Sequence, residues 1–285
     1  MTVTIVTHAA MPDGAPDDVA LAAALRERGC DARFAVWNDD GVDWSATPLT
    51  VIRSTWDYHH TPTAWAAWLR RVNTQTRTVN PASLVAWNSD KAYLLELERA
   101  GVPIIPTVLL DGAIDLADKC RRRGWDDVVI KPAIGASSIG ARRFQGGAIA
   151  VAGAEHGRAL LSRGRALLQP YQAAIEIERE RALVYIGGVF SHAFTKPGFH
   201  TALNGDALQR HEPSPEEVRL GQQVIAALPE PASVARIDIL PGGNGPLLME
   251  AELIEPQLAF HLRPQAADAL ADLLLDQQRT SLAAP

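Results

Sequence analysis

Two apolar runs that carry acids on one face constrain this chain more than any other feature. Ala235-Arg236-Ile237-Asp238-Ile239-Leu240 reads as a strand with Asp238 inside it. A turn rich in Gly and Pro follows. Leu247-Leu248-Met249-Glu250-Ala251-Glu252 then reads as a second strand. Side chains two apart on a strand share a face, so Glu250 and Glu252 point the same way. A hairpin closed near Gly242–Gly245 can bring Asp238 onto that face. Carboxylates among apolar neighbours are costly to bury unless something positive sits between them. A hard divalent cation with oxygen ligands meets that need, most simply Mg²⁺ carrying a nucleotide phosphate.

The rest of the sequence excludes several alternatives. A net charge of −6, with no Lys/Arg block interleaved with aromatics, argues against nucleic-acid binding. Cys30 and Cys120 belong to no CxxC or Cys/His cluster, so two free thiols in a reducing compartment are expected. No window approaches the roughly 20 apolar residues of a membrane span, and the first residues lack a basic signal-peptide start. The expectation is a soluble cytoplasmic protein.

Strands and helices alternate along all 285 residues, which indicates an α/β chain built of lobes. Strands at Val3–Thr7, Ala32–Val36 and Leu49–Arg53 predict a small open parallel sheet. Helices at Asp17–Arg28 and from Thr61-Pro62 to Val72 accompany it, and the unit spans 1–80. Pro81–Ala100 reads as helix broken near Asn88, linking the lobes over 81–103. A central unit, 104–169, carries strands at Ile104–Leu109, Val128–Lys131, Ile139–Phe144 and Ala166–Gln169. Its helices fall at Ile114–Arg123 and Glu155–Arg163. The last unit, 170–285, opens with long strands Ile177–Ile186 and Val189–Lys196 joined at Gly187-Gly188, a strong hairpin signal. A polar loop over Pro197–Pro213, a helix capped by Ser214-Pro215, the acid hairpin and a helix from Pro264 complete it.

Several segments suit a nucleotide. Lys131 ends an apolar strand, and the following Ala133–Gly140 run contains Gly135, Ser137, Ser138 and Ile139. Small residues there let backbone N–H groups approach phosphate oxygens, and the lysine adds a point charge. The run is neither a P-loop nor a dinucleotide fingerprint. Lys91 follows Asn88-Ser89-Asp90, where Asn88 or Ser89 can cap the helix that carries it. Gln169, Pro170 and Tyr171 leave a strand, and free backbone groups there can read an adenine edge. Glu176, Glu178 and Glu180 alternate along the next strand, and one of them can accept from ribose hydroxyls. Lys196 can reach a phosphate.

A substrate pocket is harder to place. Arg53, Ser54, Trp56 and Asp57 follow an apolar strand, where ligands of open α/β sheets collect. Arg53 suits a carboxylate and Asp57 an amine; the alternative is an Arg–Asp pair packed on Trp56. Glu255 could bind an amino group or sit in a surface turn. His192 reads as a sheet residue, and His200 and Arg210 as loop residues able to close over a substrate.

In this order, from about Asn80 to His261, the segments resemble the ATP-grasp ligases. The carrying motifs are Asp90-Lys91, Val129-Ile130-Lys131-Pro132, the glycine-rich run, the Gln169–Tyr171 hinge, an acid, and Arg236-Ile237-Asp238 with Met249-Glu250-Ala251-Glu252-Leu253. The resemblance implies an ATP-grasp fold: an N-terminal parallel α/β domain, a central lid domain and a C-terminal antiparallel catalytic domain. It implies that Lys91 and Lys131 hold ATP phosphates under a Gly135–Gly140 lid. Asp238, Glu250 and Glu252 would bind one or two Mg²⁺ ions, with Mn²⁺ as an alternative. Arg236, with Lys131, would serve the reaction. Glu176 matches the ribose acid if the spacing follows D-alanine–D-alanine ligase, and Glu178 or Glu180 if it follows glutathione synthetase. Many members carry Asn where this chain has Glu252, an extra charge that should tighten the cation and weaken its pull on phosphate.

Within the superfamily, three more segments are similar to the O-ureido-serine cyclo-ligase family of cycloserine biosynthesis. They are Arg53-Ser54-Thr55-Trp56-Asp57-Tyr58-His59, Gly188-Val189-Phe190-Ser191-His192-Ala193 and Glu252-Leu253-Ile254-Glu255-Pro256. That resemblance implies an ATP-dependent ligase. It would convert a small amino-acid-like carboxylate to an acyl phosphate and form a C–N bond within the same molecule. An intermolecular carboxylate–amine ligase and a nucleotide-binding module without catalysis are the rival readings. Dimers are common in the superfamily, which leaves a homodimer open.

Overall fold

The computed structural model describes residues 1–112, 115–136, 138–196 and 208–283, and three sheets organise them. The first contains β1 (Thr2–Thr7), β2 (Asp31–Val36), β3 (Leu49–Ile52) and β4 (Arg77–Val79). Its order is β2-β1-β3-β4 and every pairing is parallel. Helices α1 (Pro16–Glu27) and α2 (Pro62–Asn73) make crossovers. Both begin with proline at the first turn, where its missing N–H costs nothing. Strand β4 has too few residues to show a period, and the sequence reading passes over it.

Helices α3 (Ala82–Asn88) and α4 (Tyr93–Arg99) lead into the second sheet. It comprises β5 (Val108–Leu110), β6 (Asp127–Pro132), β7 (Arg142–Gln145) and β8 (Ala166–Pro170), in the antiparallel order β5-β8-β6-β7. Helices α5 (Leu116–Arg123) and α6 (Ala152–Leu161) belong to this unit, which has its own core around Leu110, Val128, Ile130 and Leu168. After the short helix α7 (Ala174–Ile177) come β9 (Arg181–Ile186), β10 (Val189–Thr195), β11 (Gln209–His211), α8 (Pro215–Ala226), β12 (Val234–Leu240), β13 (Leu247–Glu252) and α9 (Gln265–Ala283). The third sheet is antiparallel, in the order β11-β10-β9-β12-β13. The Gly187-Gly188 connection closes β9 onto β10 with both glycines at positive φ.

One continuous core joins the first and third sheets. Val3 and Ile5 of β1 share it with Ala182 and Val184 of β9 and Leu270 and Leu274 of α9. The apolar residues of the acid hairpin, Ile237, Ile239, Leu248 and Ala251, pack in a second core with Tyr93 and Leu97 of α4 and Leu220 and Val224 of α8.

Three expectations about strands need correction. Of Ile104–Leu109, only the end enters β5; Ile104 instead bridges Leu248 on the edge of β13. Residues 138–140 form a turn before β7, with Ser138 and Gly140 at φ 57 and 79. The strand expected from Ile177 begins at Arg181, after α7 and a left-handed Arg179 at φ 63. Glu176 and Glu178 thus do not share a strand face with Glu180. Of the Pro197–Pro213 segment, 209–211 are β11, while residues 197–207, His200 among them, lie outside the described residues. Among the described residues, no helix is long and apolar enough to cross a membrane. Cys30 and Cys120 are free and buried.

Candidate active site

The β12–β13 register places the expected groups face to face. Asp238 pairs with Glu250 and Arg236 with Glu252, and the ladder shifts at a bulge just past Asp238. Such a bulge re-aims side chains beside it. Every residue of β12 is buried, so its charges must be paired. Arg236 forks onto Asp238, with Nε 2.8 Å from Oδ1 and Nη2 2.9 Å from Oδ2. Its Nη2 also donates to Glu252 and its Nη1 to the Gln257 carbonyl at 3.1 Å. The Lys196 ammonium lies 2.6 Å from Asp238 and 2.5 Å from Glu180. Lys91 Nζ lies 2.8 Å from Glu250 and also donates to the Gly135 carbonyl.

Burial and these pairs set the ionisation. Burial would raise Asp238, but Arg236 and Lys196 overcome it and hold the carboxyl far below its usual range. Burial likewise opposes Glu250, and Lys91 and Lys131 pull it down. Glu252 goes up because burial outweighs Arg236. Burial takes Glu180 up to about 7, against the pull of Lys196. Glu255 is pushed up to about 8 by burial and by the neighbouring Glu252 charge. Lys131, half-buried at the end of β6, is lowered by burial despite Glu250.

Side chains from elsewhere fix the acid strand. β13 is the sheet edge, and its outward backbone groups find partners that are not strands. The Asn88 amide accepts from Leu253 N–H at 2.9 Å and donates to the Ala251 carbonyl at 2.8 Å. Tyr93 Oη meets both Ala251 N and O at 2.9 Å. Asn80 donates to the Val234 and Leu253 carbonyls, each at 2.7 Å, tying the start of β12 to the end of β13. Glu250 and Glu252 flank Ala251, so these clamps set both carboxylates. The sequence reading missed Asn80 and Tyr93 and gave Asn88 a capping role. Among the described residues no side chain caps α4, whose N-cap position is Ala92; Asp90 accepts from Ala92 N–H at 2.9 Å within the preceding turn, and Lys91 sits in that turn between α3 and α4 rather than on a helix.

On the nucleotide side, Gly140 needs its freedom: besides its positive φ, an added Cβ would lie 3.3 Å from Pro132. Ile139 is 53% exposed, and Ser137 lies outside the described residues. At the hinge, β8 stays paired through Pro170, opposite Val128, and Tyr171 N–H donates to the Asp127 carbonyl at 2.9 Å. That N–H is not free to read a base, contrary to expectation. The Gln169 amide donates to Thr107 at 2.8 Å. Glu176 accepts from Tyr171 Oη at 2.7 Å, and Glu178 lies 3.3 Å from Arg181. Of the three glutamates, Glu180 alone is tied to the Lys196–Asp238 cluster.

The candidate substrate residues divide. Arg53 is 3% exposed and bound to Asp18 at 3.0 Å and to the Pro256 carbonyl at 2.9 Å. Asp57 accepts from Trp37 Nε1 at 2.7 Å, so Arg53 and Asp57 form no pair. Ser54 is buried against Thr7 at 3.0 Å. These contacts make Arg53 and Ser54 part of the frame rather than an open carboxylate site. Trp56 and Glu255 do meet, through Trp56 Nε1 and the Glu255 carbonyl at 3.1 Å. His192 is buried with its Nε2 2.7 Å from the Leu258 carbonyl, and Arg210 donates to the Leu262 carbonyl at 2.6 Å.

Among the described residues, no three His, Cys, Asp or Glu groups stand as a ready-made cation cage. The acids are instead separated by Lys91, Lys196 and Arg236. This donor set still fits Mg²⁺, which is usually held by one or two carboxylates together with substrate phosphates and water. Asp238 and Glu250, opposite one another and both ionised, are the natural pair.

Solved structures of the same architecture define the class. A RimK domain ATP-grasp protein from Sphaerobacter thermophilus superposes with a TM-score of 0.72 at 19% identity, over 96% of this chain and all of that one. D-alanine–D-alanine ligase from Bacillus anthracis, complexed with ATP, gives 0.68 at 12% identity, over 99% and 98%. The fold is the ATP-grasp fold.

The family is narrower. The model of the D-cycloserine synthetase DcsG N-terminal domain matches residues 3–80. The cycloserine biosynthesis protein DcsG of Streptomyces lavendulae is 30% identical over 279 residues, 90% of this chain and 92% of that protein. The crystal structure of D-cycloserine synthetase DcsG superposes with a TM-score of 0.89 at 28% identity, over 98% and 100%. The chain belongs to the DcsG family.

Proposed function

We propose that this enzyme uses ATP to close O-ureido-serine, or a near relative of it, into a cycloserine-type ring with release of ADP and phosphate. The alternation of Asp238, Glu250 and Glu252 with Arg236, Lys196 and Lys91 on one buried face carries this reading, and the DcsG likeness supports the substrate. Mg²⁺ bound with ATP neutralises charge on the terminal phosphates. Asp238 and Glu250 would hold it, with Glu252 at their side.

Lys91 and Lys131 would bind phosphate oxygens, and the Gly135–Gly140 turn would cover them. Glu180 is the acid the geometry favours on the nucleotide side. Released from their carboxylates, Lys196 and Arg236 present donors where a phosphoryl group moves from ATP to the substrate carboxylate. The oxygen-bound nitrogen of the ureido group then attacks the acyl carbon, phosphate leaves and the ring closes. Water cleaves the bond from that nitrogen to its carbamoyl group, which departs as carbamate and falls to carbon dioxide and ammonia. Arg236 suits the oxyanion of that step because its planar fork donates bidentately. A closed lid would keep water from the acyl phosphate. Glu255, set against Trp56, would face the amino end of the substrate.

The test is Mg²⁺- and ATP-dependent phosphate release across small amino acids, alone and in pairs, with O-ureido-serine included. Release with O-ureido-serine alone and a cyclic product by mass spectrometry would support the proposal. Release only with a carboxylate and a separate amine would replace it with an intermolecular ligase.

A further inference from the structure

We infer that Asp17, on α1 of the amino-terminal sheet, is a positioning residue for Arg236, acting through the strap that follows β13. The inference rests on the role proposed above for Arg236. The strap runs from Glu255 to Phe260, and side chains grip its backbone at every residue. Trp56 donates to the carbonyl of Glu255 at 3.1 Å, Arg53 to that of Pro256 at 2.9 Å, and Arg236 to that of Gln257 at 3.1 Å. His192 Nε2 donates to the carbonyl of Leu258 at 2.7 Å. Asp17 takes the last three N–H groups: Leu258 at 2.7 Å and Ala259 at 2.9 Å on Oδ2, and Phe260 at 2.9 Å on Oδ1.

This is more than a helix cap. Asp17 is 7% exposed, and three consecutive N–H groups converge on its carboxylate as in a backbone anion nest. Ala259 holds a left-handed conformation at φ 54, which an alanine adopts at a cost. Strain of that kind persists only where its surroundings over-determine it, often beside functional groups. Here the surroundings are Asp17 on one side and His192 on the other.

The link to chemistry is the Gln257 carbonyl. The other partners of Arg236 are Asp238 and Glu252, both candidate cation ligands. When those carboxylates turn to a cation, Gln257 is the acceptor that still fixes the guanidinium plane. Its place depends on the strap, and the strap on Asp17. The arrangement lets the amino-terminal sheet set the group that meets the reacting centre in the carboxy-terminal sheet.

The test compares Asp17→Asn, Arg236→Lys and the double variant by steady-state kinetics at a temperature where circular dichroism shows all of them folded. Asp17→Asn keeps the shape but sets an amide donor against N–H donors. The expected result is a kcat lowered by about tenfold to a hundredfold, the scale of a small misplacement at a reacting centre, with the KM for ATP unchanged. In the double variant the Asp17 change should add nothing to Arg236→Lys. His192→Phe keeps a ring there but removes the donor to the Leu258 carbonyl, which loosens the same strap from its other face, and a smaller fall in kcat is expected. That variant decides the matter if Asp17→Asn does not fold. A kcat within about twofold of wild type in the folded Asp17 and His192 variants, whatever the change in melting temperature, would overturn the relay. If Arg236→Lys itself keeps wild-type turnover, the fault lies with the role of Arg236.

Discussion

Asp238 on β12 is 1% exposed and held by two cations, whereas Ile139, in the glycine-rich turn on the phosphate side, is 53% exposed. Both belong to one candidate site, and they are stabilised by opposite means. The hairpin is locked before any ligand arrives: ion pairs fill its face, and Asn80, Asn88 and Tyr93 grip its backbone. The turn is held through Lys91, whose N–H reaches the Ala133 carbonyl at 2.8 Å and whose ammonium reaches Gly135. Backbone held this firmly would let the charged side chains exchange partners for a cation and phosphate while the strands that carry them stay in place. A loosely packed turn can close on a nucleotide and open again. The division of labour is legible in burial alone.

Removing Asp238 should break the comparison most visibly. Asp238→Ala strands Arg236 and Lys196 in a buried site, and loss of one partner of a buried pair costs about 3–5 kcal/mol. Ile139→Ser on the turn should stay within about 0.5 kcal/mol. Urea denaturation of both variants without nucleotide gives the contrast directly; equal midpoints would mean that the hairpin is not the rigid half.

Lys131 sharpens it from the other direction. Burial lowers this lysine, so Lys131→Ala should leave the melting temperature of the ligand-free protein unchanged or slightly higher. Nucleotide affinity should fall by about tenfold to a hundredfold, the weight of one charge-assisted contact. Calorimetric titration with ADP checks this, and unchanged affinity would remove Lys131 from the phosphate site.

The smallest expected effect is a pH slope. Glu255 is raised from 4.5 to about 8 by burial first and the Glu252 charge next. Between those values the folded chain holds a proton that the unfolded chain has lost. Folded stability from this group therefore declines as pH rises through that window and levels off above it. Melting curves of ligand-free Glu255→Gln should be flatter over the same range than those of the wild type. Parallel curves would mean that the Glu255 carboxyl is solvated rather than enclosed.

The same contrast explains what the sequence showed and what it hid. Asp238, Glu250 and Glu252 were readable because acids break an apolar period of two, and pairing then sets them opposite one another. Gly187-Gly188 was readable because a two-residue turn needs positive φ. The EIERER stretch misled because alternating glutamates imitate a strand face. Helix α7 and the left-handed Arg179 intervene before β9, and Tyr171 and Arg181 take two of the acids. Asn80, Asn88 and Asp17 were hidden for another reason. Each bonds to backbone more than 150 positions away, and a polar side chain that serves a distant main chain leaves no local period. Arg53 looked like a ligand-binding group because it ends a strand of an open sheet, but Asp18 and the strap occupy it.

The central claim is that the paired carboxylates of the hairpin carry an ATP-dependent ligation. Its most direct measurement is ADP formation by Glu250→Gln with Mg²⁺, ATP and O-ureido-serine, alongside a denaturation curve. The account predicts that turnover falls by about a thousandfold or more while the variant still folds, because the amide keeps its shape and loses the charge opposite Asp238. A folded Glu250→Gln enzyme that forms ADP at the wild-type rate would contradict it.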